Sequence, residues 1–203
     1  MAVTDIRQVI HDLRNRIAPI RNVLYLIRLR GINDEKLEQS IAVIERQIEA
    51  MGKLLDDVSV QVSQPAAQDP APGSDGHATV PVNGVGKRIL IADDSPAVCE
   101  SFGEILRDLG HEVRVAHDGL EAVDIATAWM PDFAMIDLNM PKLNGYETAR
   151  RLRAQFPSSK MRLVMISGAT LDAPVLEAAR QAGFDQCLDK LLDFAALNKV
   201  LAV

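Results

Sequence analysis

At 203 residues and 48% apolar content the chain has room for one or two soluble domains. Its net charge of −6 and 4% aromatic content argue against a general nucleic-acid binder, and the isolated Cys99 and Cys187 suggest neither a zinc cluster nor a redox pair, which fits a reducing compartment. Arg21, Arg28 and Arg30 interrupt the most apolar N-terminal stretch, so no membrane segment is predicted; with no signal peptide either, a cytoplasmic protein is expected.

Residues 4–30 set Ile6, Ile10, Leu13, Ile17, Ile20, Leu24 and Ile27 at alternating steps of four and three, a heptad-like stripe on one helix. Pro19 lacks an amide hydrogen and leaves the carbonyl of Asn15 without its usual partner, which predicts a bend there. Arg30-Gly31-Ile32-Asn33 breaks the stripe, and Asn33 before Asp34 and Glu35 starts a second helix. That helix carries Leu37, Ile41, Ile44, Ile48, Met51, Leu55, Val58 and Val62. The pair reads as an antiparallel hairpin. A lone hairpin cannot enclose a core, so two copies are expected to pair as a four-helix bundle, a homodimer through residues 1–63. His11 falls one position after Ile10, at the edge of the seam, and as a lone histidine it reads as a solvated side chain.

Residues 64–86 are rich in Pro, Gly, Ala and Ser without periodicity, a linker expected to be disordered. Gly84-Val85-Gly86-Lys87 precedes a strand and lacks the spacing and following helix of a phosphate loop.

From residue 87 strands are expected near 88–92, 111–115, 132–136, 161–166 and 185–188. Helices are expected near 96–109, 119–129, 145–156, 172–182 and 193–202, with Gly110 and Gly183 marking helix ends. The alternation predicts an α/β domain with a five-stranded parallel sheet and helices on both faces. Trp129, Phe102 and the methionines read as core, and His111 and His117 have no assigned role. Splitting the charges by segment adds a constraint. Residues 1–63 hold nine basic and nine acidic side chains, and 87–203 hold thirteen and seventeen, so neither part has the basic excess of a DNA-contacting output domain.

Four strands end on chemistry. Phe133–Ile136 runs into Asp137, followed by a tight loop with Pro141 and a helix opened by Gly145. Ile89–Asp94, ILIADD, ends on Asp93 and Asp94, and such an edge is where open α/β sheets place their sites. Three converging carboxylates raise each other's pKa, and a hard cation such as Mg²⁺ removes that repulsion. Leu163–Ser167 ends on a hydroxyl, and Asp189-Lys190 follows Gln186-Cys187-Leu188. A hydroxyl and an ammonium beside metal-bound carboxylates form a pocket for a phosphoryl group.

These residues, in this order, make 87–203 resemble a response-regulator receiver domain, a flavodoxin-like (βα)5 fold. The resemblance implies that Asp137 is the phosphoacceptor and that Asp93, Asp94, Asp137 and the backbone carbonyl of Asn139 hold Mg²⁺. Ser167 and Lys190 would complete the phosphate site. Two positions depart from the family: Cys187 stands where an aromatic usually precedes the lysine by three residues, and Leu191 stands where proline usually follows it. Both bear on the usual route from phosphate to the output face.

Upstream, His11–Leu26, HDLRNRIAPIRNVLYL, resembles the phosphoacceptor box of the histidine-kinase dimerisation and phosphotransfer domain. Ile44–Val58 resembles that domain's second helix. The resemblance implies that His11 is the phosphorylated imidazole, that Asp12 orients the ring and accepts its proton, and that Asn15 positions water or phosphate. Arg16 departs from the proline usual five residues after the histidine. Where histidine kinases place an ATP-binding domain this chain has 23 residues of linker, so autophosphorylation from ATP is not expected. The whole resembles a truncated hybrid kinase: a two-component phosphorelay protein, phosphorylated by a separate histidine kinase, in which Asp137 exchanges phosphate with His11. Two alternatives stay open: a dimeric scaffold that binds a partner kinase with His11 silent, and a split kinase recruiting an ATP-binding domain in trans.

Overall fold

The apolar runs after residue 86 assemble into a parallel sheet because each is followed by a helix long enough to return the chain to the same edge. The computed structural model describes residues 6–31, 41, 44–55, 86–168, 171–191 and 194–201. Its strands are β1 (Arg88–Ala92), β2 (Glu112–Ala116), β3 (Phe133–Asp137), β4 (Arg162–Ser167) and β5 (Gln186–Asp189). They pair in parallel in the order β2-β1-β3-β4-β5. Helix α1 is Ile6–Leu29, and residues 44–55, with Ile41, form α2. Between the strands lie α3 (Pro96–Asp108), α4 (Gly119–Trp129), α5 (Gly145–Gln155) and α6 (Ala173–Ala182), and α7 (Phe194–Leu201) follows β5.

Strands β2 to β5 begin and end about one residue later than the apolar pattern suggests. The ladder is made by backbone, so it continues under polar side chains: Asp137 pairs with Ile166 and Ser167 with Asp189. The polar residues at these ends are therefore fixed by sheet hydrogen bonding, not left in a loop. Helix starts are set by side chains. Asp118 accepts from the Glu121 amide, Asp172 from Val175, and Asn144 and Glu147 form a reciprocal capping box.

Side chains alternate across the sheet, so each strand feeds two cores. Leu90, Ala134, Ile136, Leu163 and Met165 pack against α4, α5 and α6. Ile89, Ile91, Met135, Val164 and Ile166 pack against α3 and α7. Leu26 and the partly buried Tyr25 of α1 join this second cluster beside Phe102 and Ile105, so the N-terminal helix is seated on the α/β domain. Trp129 and Phe102 are core residues, as expected.

The predicted apolar stripe of α1 divides. Ile17 and Leu24 pack against Ile41 and Ile48 of α2, with the partly buried Leu191 of the α/β domain closing that cluster. Leu13 and Ile20 remain 41% and 50% exposed. A third face, with His11, Arg14, Ala18 and Asn22, is buried. There Asn22 Nδ2 donates to Ser101 Oγ of α3 at 2.9 Å, and Arg30 Nε donates to Asp108 Oδ2 at 2.8 Å. The predicted turn near Ile32, and the linker over 64–86 except Gly86, lie outside the described residues. Among the described residues no helix is long and apolar enough to cross a membrane.

Candidate active site

Parallel pairing brings the carboxyl ends of all five strands to one edge. β1 delivers Asp93 and Asp94 there, β3 Asp137, β4 Ser167, and β5 Asp189 and Lys190. Lys190 is the hub. Its backbone amide donates to the Ser167 carbonyl, and its Nζ lies 2.8 Å from Asp93 Oδ2 and 3.1 Å from Asp137 Oδ1. The same Nζ donates to Asn15 Oδ1 of α1 at 2.7 Å. Lys190 and Asp137 are each only 1% exposed.

This burial sets the protonation chemistry. Desolvation pushes the Asp137 carboxyl up to about 7; Lys190 opposes the shift and Asp93 adds to it. Asp94 is raised by burial and then by Asp93. Burial alone would lower the Lys190 ammonium, but Asp137 and Asp93 outweigh it and the net shift is upward.

His11, placed by the sequence at the edge of the seam, is 3% exposed, with Nε2 3.9 Å from Asp137 Oδ2. Burial, then Lys190, lowers its pKa, so the imidazole is neutral at pH 7. Its tautomer follows from the neighbours. An ammonium can only donate, so Lys190 fixes the Asn15 amide with Oδ1 toward itself. Asn15 Nδ2 is left to donate to His11 Nε2 at 3.0 Å, which makes Nε2 the acceptor and places the proton on Nδ1.

Among the described residues His11 Nδ1 has no hydrogen-bond partner, and the exposed Asp12 lies near enough for its charge to raise the ring's pKa. On a helix, residues i and i+4 meet, which brings Asn15 onto the His11 ring. Asn139 donates its amide to Asp137 Oδ2 at 3.3 Å. Asp93 is committed to Lys190 and to the Ser95 amide.

Sequence reasoning passed over Arg14 and Gly168. The buried Arg14 donates from Nη1 to the Gly168 carbonyl, and a Cβ on Gly168 would stand 3.2 Å from Arg14 Cβ and 3.4 Å from His11 Nδ1. The signal was present: His11, Arg14, Asn15 and Asn22 recur at steps of three, one and seven, a polar stripe beside the apolar one.

The ligating atoms of His11, Asp94 and Asp137 all lie within 4.8 Å of one another. Two carboxylates whose pKa values rise through crowding and burial form a donor set that fits a hard divalent cation. Chemically, a neutral imidazole whose Nε2 is held by Asn15 stands 3.9 Å from a carboxylate oxygen, beside an ammonium and a hydroxyl. Such a pair can hand an electrophilic anion from one nucleophile to the other by in-line displacement.

Comparison with known proteins agrees with this geometry. A model described as the response regulator receiver domain matches residues 89–202. Response regulator MprA of Mycobacterium avium is 45% identical over 115 residues, 57% of this chain and 48% of that protein. Sensor histidine kinase RcsC of Salmonella typhi is 31% identical over 118 residues, 57% of this chain and 12% of its own length. The chain thus spans about half the length of the MprA relatives it matches. Among solved structures, chemotaxis protein CheY4 of Vibrio cholerae superposes with TM-score 0.54 at 27% identity, covering 58% of this chain and 98% of that one. The receiver domain of sensor histidine kinase PA1611 from Pseudomonas aeruginosa gives TM-score 0.52 at 30% identity, covering 58% and 95%; it holds a magnesium ion in its active site cleft.

Proposed function

The chain belongs to the response regulator receiver family, and from that premise we propose that Asp137 is its phosphoacceptor and exchanges phosphoryl groups with His11 of the N-terminal hairpin. Members of the family are receivers of two-component systems phosphorylated on aspartate. The observation that carries the finer reading is the approach of His11 Nε2 to 3.9 Å from Asp137 Oδ2. At this separation a phosphoryl group carried on one atom is within reach of the other for in-line displacement.

In the forward direction the N–P bond at His11 breaks as the O–P bond at Asp137 forms, and the bonding pair returns to Nε2. The ring leaves as neutral imidazole because Nδ1 keeps its proton, and burial favours that uncharged product. Lys190 balances charge on the transferred oxygens, and Ser167 donates to them from the end of β4. Asp94 and Asp137, with the Asn139 carbonyl and with Asp93 supporting, would hold Mg²⁺, which when bound offsets charge on the phosphoryl oxygens. A separate kinase supplies the phosphate.

The hairpin pairs with a second copy through the apolar face still exposed at Leu13, Ile20, Ile44 and Met51. The burial of His11 beside Asp137 favours a relay over a scaffold in which His11 is silent.

Labelled phosphoprotein partner, Mg²⁺ and the full chain form the test. Label is expected at both His11 and Asp137. Asp137→Ala should trap it on His11, and His11→Gln should stop exchange while Asp137 still takes phosphate from acetyl phosphate. Unchanged labelling and turnover of His11 in Asp137→Ala would defeat the relay.

A further inference from the structure

Leu191 and Gly52 are both unexpected residues for their places, and they meet. Glycine is a poor helix former, so Gly52, buried within α2, calls for a packing reason. A Cβ built on it would stand 3.4 Å from Leu191 Cδ1, in van der Waals contact, so a longer side chain pointing the same way meets Leu191. Leu191 enters from the other side. Its amide donates to Asp189 Oδ1 at 2.7 Å, a bond that proline at this position cannot make. Its side chain then packs on Ile17, Leu24, Ile41 and Ile48, in the groove between α1 and α2. A cleft of about 250 Å³, lined by Arg14, Gly52, Lys53 and Leu191 among others, flanks the contact.

This contact lies one residue from Lys190, whose Nζ holds Asn15 and through it His11. After β4, on the same side of β3, a second glycine, Gly168, lets Arg14 approach. The two helices are thus held at the ends of β4 and β5 beside Asp137, and while they are seated Asp137 and Lys190 are closed to solvent.

We propose that Leu191 and Gly52 are a knob and hole that make this receiver selective for its own hairpin and keep Asp137 covered against other phosphodonors. A hairpin carrying a larger side chain in place of Gly52 is held off by Leu191. A donor in solution reaches Asp137 only when the knob leaves its hole. The proposal rests on Asp137 being the phosphoacceptor, and its test separates the two.

Full-length protein is incubated with Mg²⁺ and labelled acetyl phosphate, and the labelling rate of Asp137 follows the unseated fraction. Leu191→Ala and Gly52→Leu should each speed labelling by about tenfold, the scale expected for losing a half-buried leucine contact. Leu191→Pro, carrying the residue receivers usually have there, should do the same and guards against misfolding. The reversed pair Leu191→Ala with Gly52→Leu should return to within about twofold of the parent rate, because only a shared contact couples the two sites. Equal rates in all the proteins, or a reversed pair as fast as the single variants, overturns the knob and hole while leaving Asp137 as acceptor. Absence of label from every chain, Leu191→Pro included, removes the acceptor reading and the proposal with it.

Discussion

Asn15 joins two groups that titrate, and its amide orientation decides the reactive nitrogen. With Lys190 on Oδ1 and His11 on Nδ2, it withholds the proton from Nε2. Removing it in Asn15→Ala deletes hydrogen bonds to a charged and a reactive group, which should slow exchange between His11 and Asp137 by about tenfold or more. The pH response has a definite sign. The His11 pKa lies below 6.5 when buried, so the seated state binds fewer protons there than the unseated one. His11's contribution to seating is complete above 6.5, weakens as pH falls below 6.5, and stops weakening below the depressed value. Ring nitrogen shifts followed by NMR should show Nδ1–H and a midpoint under 6.5, moving back toward 6.5 in Asn15→Ala; a midpoint at or above 6.5 in the parent would sink the assignment. Most of these residues were legible: strand-end acids, Ser167 and Lys190 stand at the close of apolar runs, and His11 and Asn15 share a helix face. What was not legible was burial. A sequence places His11 on a helix but does not say that a second domain will cover it.

Elements are fixed partly by local chemistry and partly by close approach, and Gly145 illustrates both. The capping box of Asn144 and Glu147 starts α5, and that pattern can be read along the chain. The glycine itself answers to a tertiary demand. A Cβ at 145 would stand 2.3 Å from the Asp137 carbonyl oxygen and 2.9 Å from Leu138 Cα, both backbone, so a side chain forces the loop after β3 away from the strand. Gly145→Ala should therefore lower unfolding free energy by about 3 kcal/mol, the upper part of the usual overpacking range, measured by urea denaturation. Labelling of Asp137 by acetyl phosphate should slow in parallel, because the displaced backbone is its own. Stability equal to the parent would mean that the loop relaxes freely. The same limit explains the one-residue offset of β2 to β5. Apolar alternation reports side-chain burial, whereas strand ends follow backbone pairing, which Asp137, Ser167 and Asp189 make as readily as valine.

For the molecule as a whole, the 4-3 stripe of α1 announced a helix with a buried face but not which neighbour would cover it. Its residues fall on two sides: Ile10, Ile17 and Leu24 are buried, while Leu13 and Ile20 stay exposed. On α2 the same split separates Ile41 and Ile48 from Ile44 and Met51. The α/β domain meets α1 on a different, partly polar face and adds Leu191 to the cluster between α1 and α2, so its seating leaves the exposed stripe uncovered. That leaves a contiguous heptad pattern for a second copy, with apolar residues of the kind that surfaces seldom group without a partner. Four leucine and isoleucine side chains would be withdrawn from water across the two copies at these two positions, each contributing about 1.5–3 kcal/mol. Replacing Leu13 and Ile20 together by glutamate should weaken pairing at least about a hundredfold, since the charges must be desolvated or the contact abandoned. Light scattering should then report the single-chain mass of 22.2 kDa for the variant and twice that for the parent. His11 and Asp137 meet within one chain, so phosphate exchange between them should persist in the separated variant. A parent that scatters as a single chain would rule out the paired bundle; loss of exchange on separation would instead mean that the second copy steadies the hairpin on which His11 is carried.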